Sequence, residues 1–528
     1  MTTATKGPKL DTAVILTTAG VFGRPVESGE GSIGPLTRVG GLSLFLRTVL
    51  TLQRAQFTRV MVLAGDELAS LGRTLRDDPR VTIPLRWLPV REFSPDDART
   101  WQALATEMQG ACLVVGAQAV FARGLVERLR QELEEGHAGL VVRRRCEYDG
   151  RQADHRGMLN PLAQLQAGRL VALHDRPAHD LSPGGLTVDW QVAADMIVLP
   201  SALLATSGMA GETRERQAGV RSHHQSLRAS GAGGRGGGRA AEREREDEPP
   251  GRLLRPSSHV VPPLRALLDQ AAATGRVRVL SASPDSPHWY HDVQGPAGPT
   301  LAERTLLQSL KGELEGFVDR HLNRKISGAF TRLFLRMGLS ANAITMVSMV
   351  IGLSAAACIA AGSYAAGIIG ALLFQLSAIV DCCDGEVARL TFTESSFGEQ
   401  LDLAADNVVH AAIFGGVAWS VYLQQGSAAW PWLPLALGGA AILANGLSLW
   451  MVLRAKRLRD LGTWRSPDHA ARSNFVLKHV ASRDFSVLLL VFAFVHHLDW
   501  FLWVVAIGSN VFWIMMAWMT RPSLQARG

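Results

Sequence analysis

Asp381 and Asp384 stand three residues apart, and Asp402 and Asp406 four apart, within the stretch DCCDGEVARLTFTESSFGEQLDLAAD. On helices these spacings put each pair on one face, so two facing helices would offer four carboxylates to one volume. Hard oxygen donors in that number suit Mg²⁺ or Mn²⁺, with room for two ions that would neutralise a diphosphate and stabilise a leaving phosphate. The flanking sequence is apolar, and carboxylates at membrane depth are costly unless ligated, paired or hydrated, which favours a functional reading. Two other readings remain: a polar network tying helices together, and a cation pathway through a transporter. Gly385 and Gly398 let backbone approach a phosphate or a neighbouring helix closely. Arg389 can fork onto a phosphate or a carboxylate. His410, four residues after Asp406, would either orient that carboxylate or make a simple interhelical hydrogen bond. Cys382 and Cys383 are small packing residues beside the ligand positions, because thiolate does not suit Mg²⁺.

The elements that must position these groups are long apolar runs at roughly 344–361, 365–380, 408–423, 430–453, 485–495 and 500–519. Most approach the ~20 residues a bilayer requires, which predicts six transmembrane helices. The fifth is short, and its helix would extend N-terminally through polar residues facing a cavity. Arg and Lys precede the first run, fill the loop after the fourth (Arg454 to Arg483) and follow the sixth, whereas the connections after runs one, three and five contain neither. That asymmetry puts both termini and the long loop in the cytoplasm, in an inner or cell membrane. Residues 301–340 alternate apolar and basic residues at helical spacing and read as an amphipathic helix on the membrane surface.

Ahead of this region, short apolar runs (AVILTTAG, RVMVLAG, ACLVVGA, GLVVRR, DMIVLP) alternate with helical stretches such as LSLFLRTVLTLQRAQ and LVERLRQELEE. That alternation predicts βαβ units around a mostly parallel sheet. The Gly/Arg/Ser/Glu-rich stretch 207–258 offers almost nothing to bury and reads as a disordered insert within a front domain covering 1–300. No aromatic residue interleaves in it for base stacking, so the net charge of +7 reflects linker and topology and not a nucleic-acid partner. The five cysteines show no CxxC pair and support neither a disulfide framework nor a zinc ribbon. The N-terminal apolar run ends in a glycine turn and lacks a small-residue cleavage site, so it is not read as a signal peptide.

The acidic stretch spells D-x2-D-G-x2-A-R-x8-G-x3-D-x3-D, matching at all eight fixed positions the signature of the CDP-alcohol phosphotransferase (phosphatidyltransferase) family; the resemblance covers about 310–519 and implies a transmembrane domain of that type over 341–528. The resemblance implies that Asp381, Asp384, Asp402 and Asp406 bind the metal pair and that Asp406 also acts as general base on an incoming hydroxyl. It implies that Gly385, Ala388, Arg389 and Gly398 shape the CDP site. SANAIT (340–345) is similar to the family's element at the first span, where Asn342 and Thr345 would contact the nucleotide, although Ala341 stands where proline is usual. RAKR, with Arg454, Lys456 and Arg457, looks like a basic element receiving an acceptor phosphate; positive-inside charge alone is the competing reading.

ILTTAGVFGRPV and the segment following it resemble sugar-phosphate and alcohol-phosphate nucleotidyltransferases, whose first strand ends in a glycine loop that cradles a nucleoside triphosphate. Gly20, Gly23 and Arg24 would form that loop, and Asp292, in a segment similar to the joining region of bifunctional inositol-phosphate cytidylyltransferase/di-inositol-phosphate phosphate synthase proteins, would be a metal ligand. The loop reads A-G-x-x-G-R instead of A-G-x-G-x-R, Gly34 stands where lysine is expected, and Ala117 where an aspartate is. Those departures leave two readings of the front domain, an active cytidylyltransferase or a degenerate one that binds nucleotide, binds a partner or scaffolds.

The whole chain is therefore expected to be a two-domain membrane enzyme, an α/β Rossmann-like nucleotidyltransferase-type domain followed by an all-α six-helix bundle. It would move a phospho-alcohol group from a CDP-alcohol to an alcohol or lipid acceptor and release CMP. The alternatives are a bifunctional enzyme that also makes its donor from CTP, and a cation-coupled transporter or nucleotide-sensing membrane protein. Membrane lipid is a partner on any of these readings, and a homodimer is compatible with them.

Overall fold

The computed structural model describes residues 9–23, 33–65, 67–76, 78–144, 161–174, 189–207, 262–283, 286–310, 324–424, 430–460 and 485–519. Contacts divide the chain into two units, Met1–Thr305 and Leu306–Gly528.

The first unit is built on a nine-stranded mixed sheet. Its strands are β1 (Leu10–Leu16), β4 (Arg59–Ala64), β5 (Leu85–Pro89), β6 (Ala111–Gly116), β8 (Ala138–Arg144), β9 (Leu162–Gln166), β10 (Arg169–His174), β11 (Asp189–Pro200) and β12 (Val277–Ala282). Three short strands, β2 (Arg38–Val39), β3 (Leu42–Ser43) and β7 (Ala119–Phe121), and β13 (Tyr290–Asp292) form two separate ribbons, β2 with β3 and β7 with β13. Helices α1 (Leu44–Arg54), α2 (Leu68–Arg76), α3 (Ala98–Glu107), α4 (Arg123–Glu132), α5 (Ser201–Ala205), α6 (Pro263–Ala273) and α7 (Gly298–Ser309) are distributed along the same stretch of chain. The sheet order is β10-β9-β11-β6-β1-β4-β5, with β8 pairing β11 and β12.

All five apolar runs read as strands are strands. β1, β4, β5 and β6 run parallel, as crossover connections require. β11 departs from that pattern by running antiparallel to β6, β8 and β9. Its pairing with β8 shifts register between Ala193 and Ile197, a bulge that places Asp195 out of the regular ladder. β12 pairs in parallel with β8, so chain after the Gly/Arg-rich stretch returns to the same sheet. That stretch itself lies outside the described residues for 208–258.

The second unit is helical. α8 (Arg324–Met337) precedes α9 (Ala341–Ala360), α10 (Tyr364–Thr391), α11 (Ser396–Gln424), α12 (Leu433–Asp460), α13 (Phe485–Phe494) and α14 (Leu498–Met519). Five of the described helices are long and apolar enough to cross a membrane: α9, α10, α11, the Leu433–Met451 part of α12 and the Leu498–Met515 part of α14. The sixth expected span is α13, whose ten residues fall short of a crossing on their own. The stretch expected to lengthen it, 461–484, lies outside the described residues. Of the expected amphipathic segment, 301–309 belong to α7 and 324–337 form α8, while 311–323 lies outside the described residues.

Local chemistry explains where these helices begin and how closely they pack. Ser340 caps α9 by accepting from the Ala343 N–H at 3.3 Å, and Ser363 does the same for α10 from Ala366. The Ser340 cap supplies the start of α9 that a proline at 341 would otherwise favour. α9, α10 and α11 pack together because small residues face one another. A Cβ at Gly352 of α9 would stand 2.5 Å from Val409 Cγ1 of α11, and one at Gly416 of α11 would stand 2.7 Å from the Ala356 carbonyl of α9. α10 ends at Phe392, which adopts a left-handed conformation (φ 58°) while its N–H bonds the Ala388 carbonyl. Three further residues then lead into α11, so the two acidic helix segments are consecutive in the chain and adjacent in space.

Candidate metal centre and active site

α10 carries Asp381 and Asp384 on successive turns, 4% and 7% exposed. Asp402 lies in the second turn of α11 and is half-buried. One oxygen from each of these three carboxylates falls within 4.8 Å of the others. This is the convergence the i, i+3 and i, i+4 spacings predict for two facing helices. Asp406 is one turn further along α11, half-buried, and outside the group of three. The donor set is carboxylate oxygen, which fits Mg²⁺ or Mn²⁺ and not a softer metal.

α9 supplies the hydroxyls that orient the cluster. Thr345, 2% exposed, donates to Asp384 Oδ2, and Ser348 donates to Asp381 Oδ1 at 3.4 Å. Ser377 in turn donates to the Ser348 carbonyl at 2.7 Å. Thr345 was expected to contact nucleotide; its hydroxyl here lies on an acidic ligand position. Asn342 and Gly398 are neighbours, since a Cβ at 398 would stand 3.1 Å from Asn342 Oδ1. Arg389 is exposed at the end of α10, and its Nη2 lies 3.4 Å from where a Gly385 Cβ would be. Ala388 is half-buried one residue earlier. The expected nucleotide-binding residues thus gather at one end of α9, α10 and α11.

The His410 ring packs against Phe374, Phe414 and Phe485 at centroid distances of 6.0, 6.2 and 5.6 Å, a place in the aromatic core. Cys383 points at the Ser327 carbonyl, 3.6 Å away, as a packing residue. Arg454 and Arg457 are exposed, with Arg454 stacked over Trp450 at 5.6 Å. The Lys456 side chain lies outside the described residues.

In the front unit, Gly20 and Gly23 form the expected turn after β1, with the Gly23 N–H bonded to the Gly20 carbonyl at 3.0 Å and Gly23 at φ 74°. Arg24 lies outside the described residues. Asp292, expected as a metal ligand, pairs with Arg143 at 2.6 Å and accepts from the Tyr290 hydroxyl. Tyr290 also accepts from the Asp195 N–H at 2.9 Å. Burial, reinforced by the Asp292 and Asp195 carboxylates, pushes the Tyr290 phenol well above its usual pKa and keeps it a donor.

Asp195, which sequence reasoning missed, accepts from the Val21 N–H inside the glycine turn. Its Oδ1 lies 2.8 Å from where a Gly20 Cβ would be, and its Oδ2 only 1.7 Å from that of Gly116. The two glycines make room for this internal carboxylate. Asp195 stands in an apolar strand run, and that mismatch was the signal available.

Residues 339–519 match the CDP-alcohol phosphatidyltransferase family, so the C-terminal half of the chain carries a domain of that family. A bifunctional IPC transferase and DIPP synthase of Aquifex aeolicus is 30% identical over 162 residues, 30% of this chain and 36% of that protein. Its counterpart in Thermococcus kodakarensis is 34% identical over 130 residues, 24% of this chain and 29% of that one. The chain thus aligns with about a third of the length of these curated relatives. Among solved structures, an inositol-1-phosphate CTP transferase from T. maritima is similar at 13% identity, covering 57% of this chain and 97% of that one with a TM-score of 0.35.

Proposed function

We propose that this protein is a membrane phosphotransferase that moves a phospho-alcohol group from a CDP-alcohol to the hydroxyl of a second alcohol and releases CMP. The observation that carries the reading is the convergence of Asp381, Asp384 and Asp402 oxygens within 4.8 Å, between two apolar helices inside the matched family segment.

Asp381, Asp384 and Asp402 would hold divalent metal, with Asp406 completing the set where a second ion binds. Such a cation neutralises the donor's diphosphate and stabilises the departing phosphate. Thr345 and Ser348 fix the orientation of the two α10 carboxylates. Gly385, Ala388, Arg389, Gly398 and Asn342 would line the CDP site at the shared end of α9 to α11. Asp406 takes the proton of the acceptor hydroxyl; the acceptor's oxygen forms a bond to the donor phosphorus, the bond from that phosphorus to CMP breaks, and CMP carries away the electron pair. Arg454, Lys456 and Arg457 would receive a phosphate of the acceptor. The distribution of Arg and Lys supports a cytoplasmic active site and cytoplasmic termini. Membrane lipid surrounds the bundle and a lipid acceptor fits the setting, as does a homodimer.

A second reading adds synthesis of the donor from CTP by the front unit. It is favoured by the relatives, which are named as bifunctional.

The test supplies purified full-length protein with Mg²⁺ and a panel of CDP-activated donors, CDP-diacylglycerol and CDP-inositol first, each with candidate acceptors. CMP release that stops on chelation supports the proposal. Cation flux in vesicles without CMP release from any donor would replace it with the transporter reading.

A further inference from the structure

Beyond the acidic cluster, α10 carries one more buried carboxylate. Glu386 is 2% exposed and lies on the opposite side of the helix from Asp384, since two residues turn an α-helix through about 200°. It faces α8. The Ser327 hydroxyl donates to one Glu386 oxygen at 3.0 Å and the Thr331 hydroxyl to the other at 2.5 Å, and both hydroxyl-bearing residues are fully buried. Ser327 and Thr331 are four apart, so one face of α8 presents both donors at once. Cys383, one turn before Glu386, adds a thiol contact to the Ser327 carbonyl.

The surroundings of this contact are apolar. Ile344, Val380, Cys383 and Val387 form the adjoining core, packed by Phe330, Phe334 and Leu335. An apolar residue at 386 would pack there without the cost of burying a carboxylate. What the carboxylate adds is direction: two hydroxyl donors fix both the rotation of α10 about its axis and the height of α8 against it. α10 carries Asp381 and Asp384 within five residues of Glu386, so the rotation fixed on one side determines where the ligand oxygens point on the other.

We propose that Glu386 is a positioning residue that, through Ser327 and Thr331, locks α8 onto α10 and sets the orientation of the Asp381–Asp384 turn toward metal. The inference rests on the metal-centre reading given above. It makes the juxtamembrane helix part of the catalytic framework, although α8 supplies no ligand.

The test compares wild type, Glu386→Ala, Glu386→Gln, a Ser327→Ala/Thr331→Val double variant and the combined triple variant. All are full-length proteins in detergent micelles, normalised to the monodisperse fraction. Mn²⁺ binding is titrated directly by electron paramagnetic resonance, and CMP release from CDP-inositol or CDP-diacylglycerol is measured against Mg²⁺ concentration. Glu386→Ala should weaken Mn²⁺ binding about tenfold, the scale on which residues that orient ligands act. The Ser327/Thr331 variant should produce a similar loss although it touches no ligand. The triple variant should be no worse than either, because all of them break one contact. Glu386→Gln, which can still bond both hydroxyls, should bind within about twofold of wild type.

Unchanged Mn²⁺ affinity in Glu386→Ala would overturn the proposal. So would equal losses in Glu386→Gln and Glu386→Ala beside a silent Ser327/Thr331 variant, since that pattern reports charge and not position. Wild type that binds Mn²⁺ but releases no CMP from any donor would sink the transferase reading while leaving the latch to be judged by the titration. Wild type that binds no Mn²⁺ would remove both.

Discussion

The Thr345 hydroxyl of α9 donates a hydrogen bond to Asp384 Oδ2 of α10. Both residues are buried, so the bond is shielded from water and fixes one carboxylate oxygen, while the Gly385 N–H bonds the other. Thr345→Val preserves shape and removes the donor. It should weaken divalent-metal binding by about tenfold, with Thr345→Ser retaining most of it. A Mn²⁺ titration of both variants checks this, and equal behaviour of valine and serine would count against the role.

Asp406→Asn tests the proton acceptor separately from the metal cluster. Because Asp406 lies outside the group of three converging oxygens, its neutralisation should leave at least one metal bound while turnover falls by about 10²–10⁴. The measurement is CMP release at saturating Mg²⁺ with Mn²⁺ binding run in parallel. Retained turnover would remove the residue from the mechanism.

Gly116→Ala should be damaging for a reason unrelated to nucleotide. The added Cβ would stand 1.7 Å from Asp195 Oδ2, and the carboxylate is tied to the Val21 N–H, so one of the two must move. A loss of about 1–3 kcal/mol is expected, read as a lower thermal midpoint in detergent. Gly116→Ala combined with Asp195→Ala should recover much of it, because the offending group is gone.

Cys112 is fully buried within β6, and that burial pushes its thiol up to about 12. At pH 8 the thiolate is scarce and shielded, so a maleimide pulse on folded protein should leave the Cys112 peptide unlabelled, while the same pulse in denaturant labels it. Mass mapping of the two digests decides the point.

The acidic cluster was legible because helical periodicity alone brings Asp381, Asp384 and Asp402 together once two helices face each other. Apolar runs likewise marked β1, β4, β6, β8 and β11, whose burial comes from layers on both sides of a sheet. What the sequence did not show were the partners. Asp195 meets the glycine turn because the β11–β6 register carries it past Val115 to Gly116, and strand register leaves no mark in a single sequence. Nor did the sequence show that the Thr345 hydroxyl bonds Asp384. Glu386 could have been found: the argument that a carboxylate among apolar residues needs a purpose applies to it as fully as to the four aspartates. The short fifth run was legible as the exception in length: α13 has ten residues, and the stretch expected to extend it lies outside the described residues.

α10 runs unbroken for 28 residues, from Tyr364 to Thr391. At 1.5 Å per residue it is about 42 Å long, against about 30 Å of hydrocarbon. Asp381 comes seventeen steps after Tyr364, about 26 Å along, a distance close to the thickness of the hydrocarbon layer. In a bilayer entered at Tyr364, a water-borne reagent would descend only into the headgroup zone to meet that turn, and a fatty one would not leave its leaflet.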